Sequence, residues 1–171
     1  AFYDGKDMSV NEIINHIKPM ETKLVEVTGG EPMLQSNAVP LMKKLLDDGY
    51  DVLLETSGAI SLSNVPTRVK KIVDFKCPSS DMSKHNLWSI VEELNDFDEI
   101  KFVIGNKEDY EWAKQKIFSY KLLDSWTVLF SPVYNKISLE KLANWILEDN
   151  LNVKLQLQLH KYIWSPNKIG V

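Results

Sequence analysis

The stretch Val25–Pro32, with the sequence Val-Glu-Val-Thr-Gly-Gly-Glu-Pro, organises the interpretation of the whole chain. An apolar run with β-branched residues stops at two glycines, a carboxylate and a proline, a pattern typical of a buried strand that ends beside a ligand. Glycines let backbone N–H groups approach a bound group because no Cβ stands in the way. Glu31 adds one negative charge. The glycine pair alone would fit a plain strand-to-helix turn equally well, but the tetrapeptide Gly-Gly-Glu-Pro at a strand end is a narrower signal.

Composition limits the classes of protein that the chain can belong to. Its 171 residues are enough for one well-buried domain, so residues 1–171 are predicted to form a single domain. A formal net charge of -4 gives no bulk attraction to nucleic acid or to an anionic membrane, and neither is expected as a partner. The single cysteine, Cys77, excludes an intrachain disulfide and favours a cytoplasmic location.

Strand and helix patterns alternate along the chain without a long linker or a repeat. Strands are predicted at 24–27, 51–56, 71–76, 99–104, 126–130 and 153–159, and helices at 9–17, 38–48, 85–94, 109–118 and 139–147. Ser9 and Glu12, three residues apart, predict a capping box at the start of the first helix. This alternation predicts an α/β fold with parallel strands joined by right-handed crossovers. A complete eight-unit barrel typically needs about 250 residues. An open doubly wound sheet and a partial barrel both remain possible.

Polar residues follow the predicted strands, and parallel strands would bring these tips to one edge of the sheet. Hydroxyl groups suit a ribose or a carboxylate, and glycines suit close backbone contacts, although turns that bind nothing are also polar. The chain lacks a Gly-x-Gly-x-x-Gly loop, which argues against a nicotinamide site. The tips are Thr28–Glu31, Glu55–Gly58, Lys76–Ser80, Gly105–Asn106, Ser131–Pro132 and His160–Lys161.

Three single features leave alternatives open. His160 follows the last predicted strand, where a ligand contact and a hydrogen bond to backbone are equally good interpretations. Cys77 has no base in its immediate sequence, so a packed thiol is favoured over a nucleophile. The acidic cluster Glu108–Glu111 favours a helix N-terminus through the macrodipole and needs no ligand.

Taken together, the tips resemble the radical S-adenosylmethionine (SAM) superfamily and, within it, the 7-carboxy-7-deazaguanine synthases. Gly-Gly-Glu-Pro marks the superfamily, whereas Lys76–Ser80 and Gln158–Lys161 indicate this member. The resemblance also covers Glu55–Gly58, Lys101–Ile104 and Phe130–Val133. It implies a partial, six-stranded (β/α)6 barrel of the TIM type.

The resemblance further implies an activity. A [4Fe–4S] cluster would reduce SAM, and the resulting radical would act on 6-carboxy-5,6,7,8-tetrahydropterin. Ring contraction with loss of ammonia would then give 7-carboxy-7-deazaguanine for queuosine and deazapurine biosynthesis. Mg²⁺, a reductant protein such as flavodoxin or ferredoxin, and a homodimer are implied as well.

The resemblance also carries residue roles over to matching positions, without assigning a catalytic side chain or a metal ligand to this chain. Thr28 and His160 would face the pterin, as would Pro166, although family members end near that position and this chain continues to Val171. The residues implied to hold SAM are Gly29, Gly30, Glu31, Ser57, Pro78, Ser79, Ser80, Ser131, Pro132, Val133 and Tyr134.

The cysteine content departs from the family pattern. Three thiolates normally hold the cluster and leave one iron open for SAM, whereas this sequence has Cys77 alone. We therefore expect the chain to begin just after the cluster motif, without the first strand and the cluster loop, and to be inactive by itself. Two alternatives stay open: another radical SAM enzyme such as a glycyl-radical-activating enzyme, and an α/β binding module without a cluster.

Overall fold

The computed structural model describes residues 5–166 and residue 168. Its strands form one six-stranded sheet in chain order: β1 Leu24–Val27, β2 Asp51–Thr56, β3 Lys70–Phe75, β4 Glu99–Ile104, β5 Thr127–Pro132 and β6 Lys154–Leu155. The α-helices are α1 Val10–Ile17, α2 Ala38–Asp47, α3 Lys107–Ser119, α4 Leu139–Glu148 and α5 His160–Ile163. Of the helices in the described ranges, none is long and apolar enough to cross a membrane.

Internal contacts divide the chain into two compact units. Unit 1 comprises Ala1–Val73 and Leu87–Asp98, and unit 2 comprises Asp74–Asn86 and Glu99–Val171. The prediction of a single domain over residues 1–171 stays a prediction.

Unit 1 contains β1, β2 and most of β3. β1 pairs with β2, and β2 with β3, in parallel. Ser9 begins α1 with the predicted capping box, in which its hydroxyl oxygen accepts from the Glu12 N–H and Glu12 accepts in return from the Ser9 N–H. α2 packs Met42 and Leu45 into the core with no exposed surface, and Gly49 follows with a φ of 79°.

A buried ion pair joins the start of β3 to the turn at the end of unit 1. Lys71 Nζ lies 2.6 Å from Asp98 Oδ2, and the two side chains are 2% and 0% exposed. The Lys71 N–H donates to Asp98 Oδ1 at 2.7 Å, and the Asn95 N–H donates to Oδ2 at 2.8 Å. Because the carboxylate has three donors, its burial is compensated and the turn is held in one conformation.

Unit 2 contains β4, β5 and β6. β4 pairs with β5 in parallel along all six of its residues, and β5 pairs with β6. Aromatic rings fill the core: Phe102 contacts Phe75 and Phe130 at centroid distances of 6.1 and 6.0 Å, and Tyr110 of α3 contacts Phe130 at 5.6 Å.

The segment predicted as a helix at 85–94 forms two 3₁₀ helices instead, Ser83–His85 and Trp88–Glu93. Asn86 and Leu87 between them are extended. The Asn86 carboxamide accepts from the Lys76 N–H and donates to the Lys76 carbonyl, both at 2.9 Å. The Leu87 N–H donates to the Gly58 carbonyl at 2.9 Å. These bonds replace the helical ones and interrupt the helix.

The last strand is much shorter than the predicted 153–159. β6 ends after two residues, and the Gln156 N–H makes the last ladder bond, to the Phe130 carbonyl at 2.9 Å. The next donor on β5 would be Pro132, which has no N–H, so the ladder cannot continue. Leu159 is 60% exposed, and His160 begins α5 rather than directly following a strand.

Candidate functional site

In unit 1 the Glu31 carboxylate ties together the ends of β1 and β2. Its Oε1 accepts from the Met33 N–H at 3.0 Å and from the Thr56 hydroxyl at 2.8 Å. Its Oε2 accepts from the Ser57 N–H at 2.7 Å and from the Ser57 hydroxyl. Glu31 is only 8% exposed. Four donors thus converge on one buried carboxylate and fix the two strand ends against each other.

The protonation of Glu31 follows from this arrangement. Burial raises the pKa of the carboxyl group, but the hydrogen bonds from Ser57, Met33 and Thr56 outweigh it, so that the pKa of Glu31 lies below its usual value. The group therefore carries its negative charge at neutral pH.

The two glycines before Glu31 need their conformational freedom. Gly29 and Gly30 have φ values of 89° and 56°, in the region that L side chains rarely adopt. An added Cβ at Gly29 would meet no atom within 4 Å, so the backbone there is open on that side. Thr28 precedes them on the exposed surface. The turn therefore presents bare backbone next to a fixed charge, as the sequence predicted.

Two cavities lie within unit 1. One, of about 660 Å³, borders Thr28 and Gly29 at the end of β1 and is also lined by Gln35, Ser36 and Asn37. The other, of about 750 Å³, is lined by Lys23 and Tyr50, which precede β1 and β2. The second cavity lies at the opposite end of the strands from Gly-Gly-Glu-Pro, so the first is the one associated with the predicted site.

In unit 2 the Asp109 carboxylate has the corresponding place. Its Oδ1 accepts from the Ser79 N–H at 2.9 Å, and its Oδ2 accepts from the Ser79 hydroxyl at 2.5 Å and from the Gly105 N–H at 2.9 Å. Asp109 has no exposed surface. A Cβ added to Gly105 would lie 3.1 Å from Ser79 Oγ and 3.5 Å from Val133 Cγ2. The structure thus brings two predicted site residues, Ser79 and Val133, together around Gly105.

The end of β5 carries a buried hydroxyl group without a partner. Ser131 is 1% exposed, and its Oγ makes no hydrogen bond within the part of the chain that the structure describes. Pro132 beside it is buried, and Val133 is fixed by a hydrogen bond from its N–H to the Ile104 carbonyl at 2.9 Å. A buried polar atom without a hydrogen-bond partner is unusual in a folded protein, so this hydroxyl group requires an explanation.

Ser80 makes a hydrogen bond within its own turn, and the Cys77 side chain is buried there. Ser80 Oγ donates to the Cys77 carbonyl at 2.6 Å, inside the 3₁₀ helix Pro78–Ser80. Burial raises the pKa of the Cys77 thiol strongly, and the negative charges of Asp109 and Asp74 raise it further. The thiol stays protonated and is a packed group, which agrees with the interpretation favoured by its sequence.

The remaining predicted residues lie in the C-terminal part of unit 2. His160 is exposed at the start of α5, and Pro166 is exposed beyond it. The Tyr134 ring makes an edge contact with Tyr162 at 5.6 Å, and Lys161 Nζ lies 5.9 Å from its centroid. The described ring contacts of Tyr134 are therefore with α5.

Similar proteins decide the family. The chain is 42% identical to the 7-carboxy-7-deazaguanine synthase of Koribacter versatilis, and the match covers 100% of this chain and 82% of that protein. It is 41% identical to the 7-carboxy-7-deazaguanine synthase of Chlorobaculum tepidum over 98% of this chain and 77% of that protein. The chain belongs to the 7-carboxy-7-deazaguanine synthase family. No protein-family model matches it.

Solved structures agree with the fold of this family. QueE from Escherichia coli superposes with a TM-score of 0.70 at 20% identity, covering 88% of this chain and 64% of that one. Streptococcus suis SuiB bound to SAM superposes with a TM-score of 0.60 at 12% identity, covering 91% of this chain and 45% of that one. The α/β class and the radical SAM type of fold are confirmed.

The described residues of this family member fit SAM but not the iron–sulfur cluster. An unpartnered Ser131 hydroxyl and the open backbone at Gly29 fit an organic ligand with polar groups such as SAM. An iron–sulfur cluster needs several thiolates, and the 171 residues contain only the buried Cys77. Within residues 5–166 and 168, no group of three His, Cys, Asp or Glu side chains could hold a metal ion. The single buried thiol therefore does not fit the cluster.

Three residues, Thr56, Gly105 and Asp109, organise these turns in a way that the sequence did not predict. Thr56 belongs to a predicted tip, but its bond to Glu31 depends on the pairing of β1 with β2. Gly105 also belongs to a predicted tip, but its close approach to Ser79 and Asp109 depends on the folded chain. Asp109 was assigned to a helix N-terminus, and its complete burial is what distinguishes it from Glu108 and Glu111. The short distance of Asp109 from Gly105 in the sequence is the one signal that could have indicated its role.

Proposed function

We propose that this protein converts 6-carboxy-5,6,7,8-tetrahydropterin to 7-carboxy-7-deazaguanine with loss of ammonia, as a radical SAM carbon–nitrogen lyase of queuosine and deazapurine biosynthesis. The observation that carries this proposal is the 42% identity to a 7-carboxy-7-deazaguanine synthase along the whole chain. Within the part of the chain that the structure describes, no feature favours a glycyl-radical-activating enzyme or a binding module instead.

SAM is proposed to bind at the strand ends. In unit 1, the open backbone at Gly29 and the adjacent Gly30 would receive the methionine part, next to the negative charge of Glu31, which accepts from the Ser57 N–H. This charge suits the α-ammonium group of SAM through electrostatic attraction, because both oxygens of Glu31 already accept two hydrogen bonds within unit 1. In unit 2 the proposed contacts are the residues Pro78, Ser79, Ser80, Ser131, Pro132, Val133 and Tyr134.

The pterin is proposed to contact Thr28, His160 and Pro166. Thr28 is exposed beside the 660 Å³ cavity of unit 1, where its hydroxyl group can donate and accept hydrogen bonds. His160 and Pro166 are exposed at and beyond α5. An imidazole at this place can hydrogen-bond a carboxylate or a ring nitrogen.

The family's cofactors are SAM, a [4Fe–4S] cluster and Mg²⁺, and the cluster supplies the electron that cleaves SAM. The role of the residues described above is to bind and orient the two organic ligands. We further propose a flavodoxin or ferredoxin as reductant, a homodimer, and a cytoplasmic location. The prediction that the 171 residues are inactive by themselves follows from their single thiol.

The proposal is tested by an anaerobic turnover assay. The natural gene product is reconstituted with iron and sulfide and given SAM, Mg²⁺, dithionite and the carboxytetrahydropterin, and 7-carboxy-7-deazaguanine is measured by chromatography and mass spectrometry. A sample treated in the same way but without iron and sulfide is the control and should form no product. A gene product that cleaves SAM but leaves the pterin unchanged would contradict the proposed substrate.

Binding of the pterin gives a test that does not require the cluster. We expect the 171-residue chain to bind the carboxytetrahydropterin in a titration, and Thr28→Val, which keeps the shape and removes the hydroxyl group, to weaken binding about fivefold. Equal affinity of the two proteins would remove Thr28 from the proposed site.

A further inference from the structure

We propose that Asp109 is a positioning residue that turns the Ser79 hydroxyl group into a dedicated hydrogen-bond acceptor for SAM. The proposal deepens the proposed function, on which it rests, because Ser79 is one of the residues proposed to bind SAM. It assigns to Asp109 a role that its sequence context does not indicate.

Both hydrogen bonds between Ser79 and the Asp109 carboxylate run from Ser79 to Asp109. The Ser79 hydroxyl group has one proton, which it donates to Asp109 Oδ2 at 2.5 Å. The Ser79 N–H is also committed, to Asp109 Oδ1 at 2.9 Å. Because both donors of Ser79 point to one carboxylate group, Asp109 fixes the orientation of both.

Ser79 Oγ can still accept a hydrogen bond from a ligand. Ser79 is exposed, and after donating its proton its Oγ has only lone pairs left to present. Such an oxygen can accept a hydrogen bond but cannot donate one. In SAM the possible donors are the α-ammonium group, the ribose hydroxyls and the adenine amino group. The α-carboxylate of SAM is excluded as the partner of this oxygen.

Asp109 also contacts the turn after β4. Asp109 Oδ2 also accepts from the Gly105 N–H at 2.9 Å, so one carboxylate fixes the turns after β3 and β4 together. Gly105 leaves room for this contact, since a Cβ there would lie 3.1 Å from Ser79 Oγ and 3.2 Å from Asp109 Oδ2. Both contacts would be closer than side chains normally allow.

Helix capping does not explain the position of Asp109. The cap of α3 is Asn106, whose Oδ1 accepts from the Asp109 N–H at 2.9 Å. A charge in the first turn favours the N-terminus of α3 even when the side chain is exposed, so it is the complete burial of the Asp109 carboxylate that requires the Ser79 and Gly105 donors. All of its described partners are donors of the two turns.

The test compares Asp109→Asn, Ser79→Ala, Ser79→Thr and the double variant of the first two. SAM affinity is measured by equilibrium dialysis, and the reconstituted gene product gives kcat and the KM for SAM. We expect Asp109→Asn and Ser79→Ala each to raise the Kd and KM for SAM about tenfold with kcat nearly unchanged, the loss of about one hydrogen bond. The double variant should be no worse than either single one, and Ser79→Thr, which keeps the hydroxyl group, should stay within about twofold of the wild type.

The matched control is Asp98→Asn. Asp98 is also fully buried and also accepts three hydrogen bonds, but from Lys71 and Asn95 at the start of β3. It should lower the midpoint of urea unfolding and leave the Kd for SAM unchanged. An equal effect of Asp98→Asn and Asp109→Asn on SAM affinity would overturn the proposal, because it would show that stability alone sets the affinity.

Two further outcomes separate this proposal from the proposed function. Wild-type protein that binds no SAM would overturn both. Wild-type protein that binds SAM while Ser79→Ala binds it equally well would overturn the role of Asp109 and leave the proposed function standing. Ser79→Ala decides this even if Asp109→Asn fails to fold, since Ser79 is exposed and keeps its N–H bond in the variant.

Discussion

In each unit, one buried carboxylate accepts two hydrogen bonds from one serine and so stabilises the ends of the strands. The sequence indicates this arrangement in unit 1 but not in unit 2. In unit 1, Glu31 accepts from the N–H and the hydroxyl group of Ser57. In unit 2, Asp109 accepts from the N–H and the hydroxyl group of Ser79. Glu31 belongs to a recognisable tetrapeptide, whereas Asp109 lies in an acidic cluster that any helix could begin with. The difference shows that a motif identifies only one of two equivalent arrangements.

The two units also differ in what remains unsatisfied. All the hydrogen bonds of the Glu31 cluster are made within unit 1, and Glu31 Oε1 and Oε2 each have two donors. In unit 2, Ser131 Oγ is buried without a partner in the described residues. The turn of unit 1 thus has all the hydrogen bonds of its carboxylate, whereas the end of β5 in unit 2 has a buried hydroxyl group without a described partner.

The largest effect is expected from Glu31→Gln. An amide offers one acceptor oxygen where four donors converge, and its NH₂ group would face two of them. We expect the free energy of unfolding to fall by about 3 kcal/mol and SAM binding to become undetectable. Urea unfolding and equilibrium dialysis measure these two quantities. An unchanged stability would show that the four hydrogen bonds of Glu31 do not act as a unit.

Gly105→Ala should have the next largest effect, in unit 2. The new Cβ would lie 3.1 Å from Ser79 Oγ and 3.2 Å from Asp109 Oδ2, so the turn has to move. We expect a loss of about 2 kcal/mol in stability and a several-fold higher Kd for SAM. The control is Gly5→Ala, where a Cβ meets no atom within 4 Å and neither quantity should change. Equal results for the two variants would contradict the described packing around Gly105.

The serine pair Ser57→Ala and Ser131→Ala sharpens the contrast between the units. Ser57→Ala removes a bond to Glu31 and should cost about 1 kcal/mol of unfolding free energy. Ser131→Ala removes a buried hydroxyl group without a described partner, so the free protein should keep or slightly gain stability while its SAM affinity falls a few-fold. Thermal unfolding with and without SAM separates the two effects. A clear loss of stability in ligand-free Ser131→Ala would show that this hydroxyl group has a partner.

The smallest effect is the pH dependence contributed by Glu31. Its folded pKa is lowered by the net effect of burial and the Ser57, Met33 and Thr56 bonds, so it lies below the unfolded value of about 4.3. The stabilisation is therefore complete above about pH 4.3 and is lost as the pH falls through the folded pKa. The stability difference between wild type and Glu31→Gln should shrink on acidification, as urea unfolding at several pH values would show. A constant difference would contradict the lowered pKa.

Local patterns predicted the elements whose partners lie nearby in the chain. The capping box at Ser9, the strands 51–56 and 99–104 and the turn at Gly29 and Gly30 are found as expected. The helix predicted at 85–94 and the strand predicted at 153–159 are not. The first is interrupted by the two hydrogen bonds between the Asn86 side chain and the Lys76 backbone, and the second is ended by Pro132 on a neighbouring strand. In both cases a distant residue in the chain decides the local conformation.

The sequence by itself determined the α/β class, the family and the residues of Gly-Gly-Glu-Pro, because hydrophobic periodicity, helix caps and positive-φ glycines act over a few residues. The tertiary structure alone decided that Asp109 is buried against Ser79, that Glu31 is saturated by hydrogen bonds, and that Ser131 Oγ has no partner in the described residues. These properties depend on which atoms surround a side chain after folding. Burial and hydrogen-bond satisfaction are set by residues about 25 to 30 positions apart, which no local pattern contains.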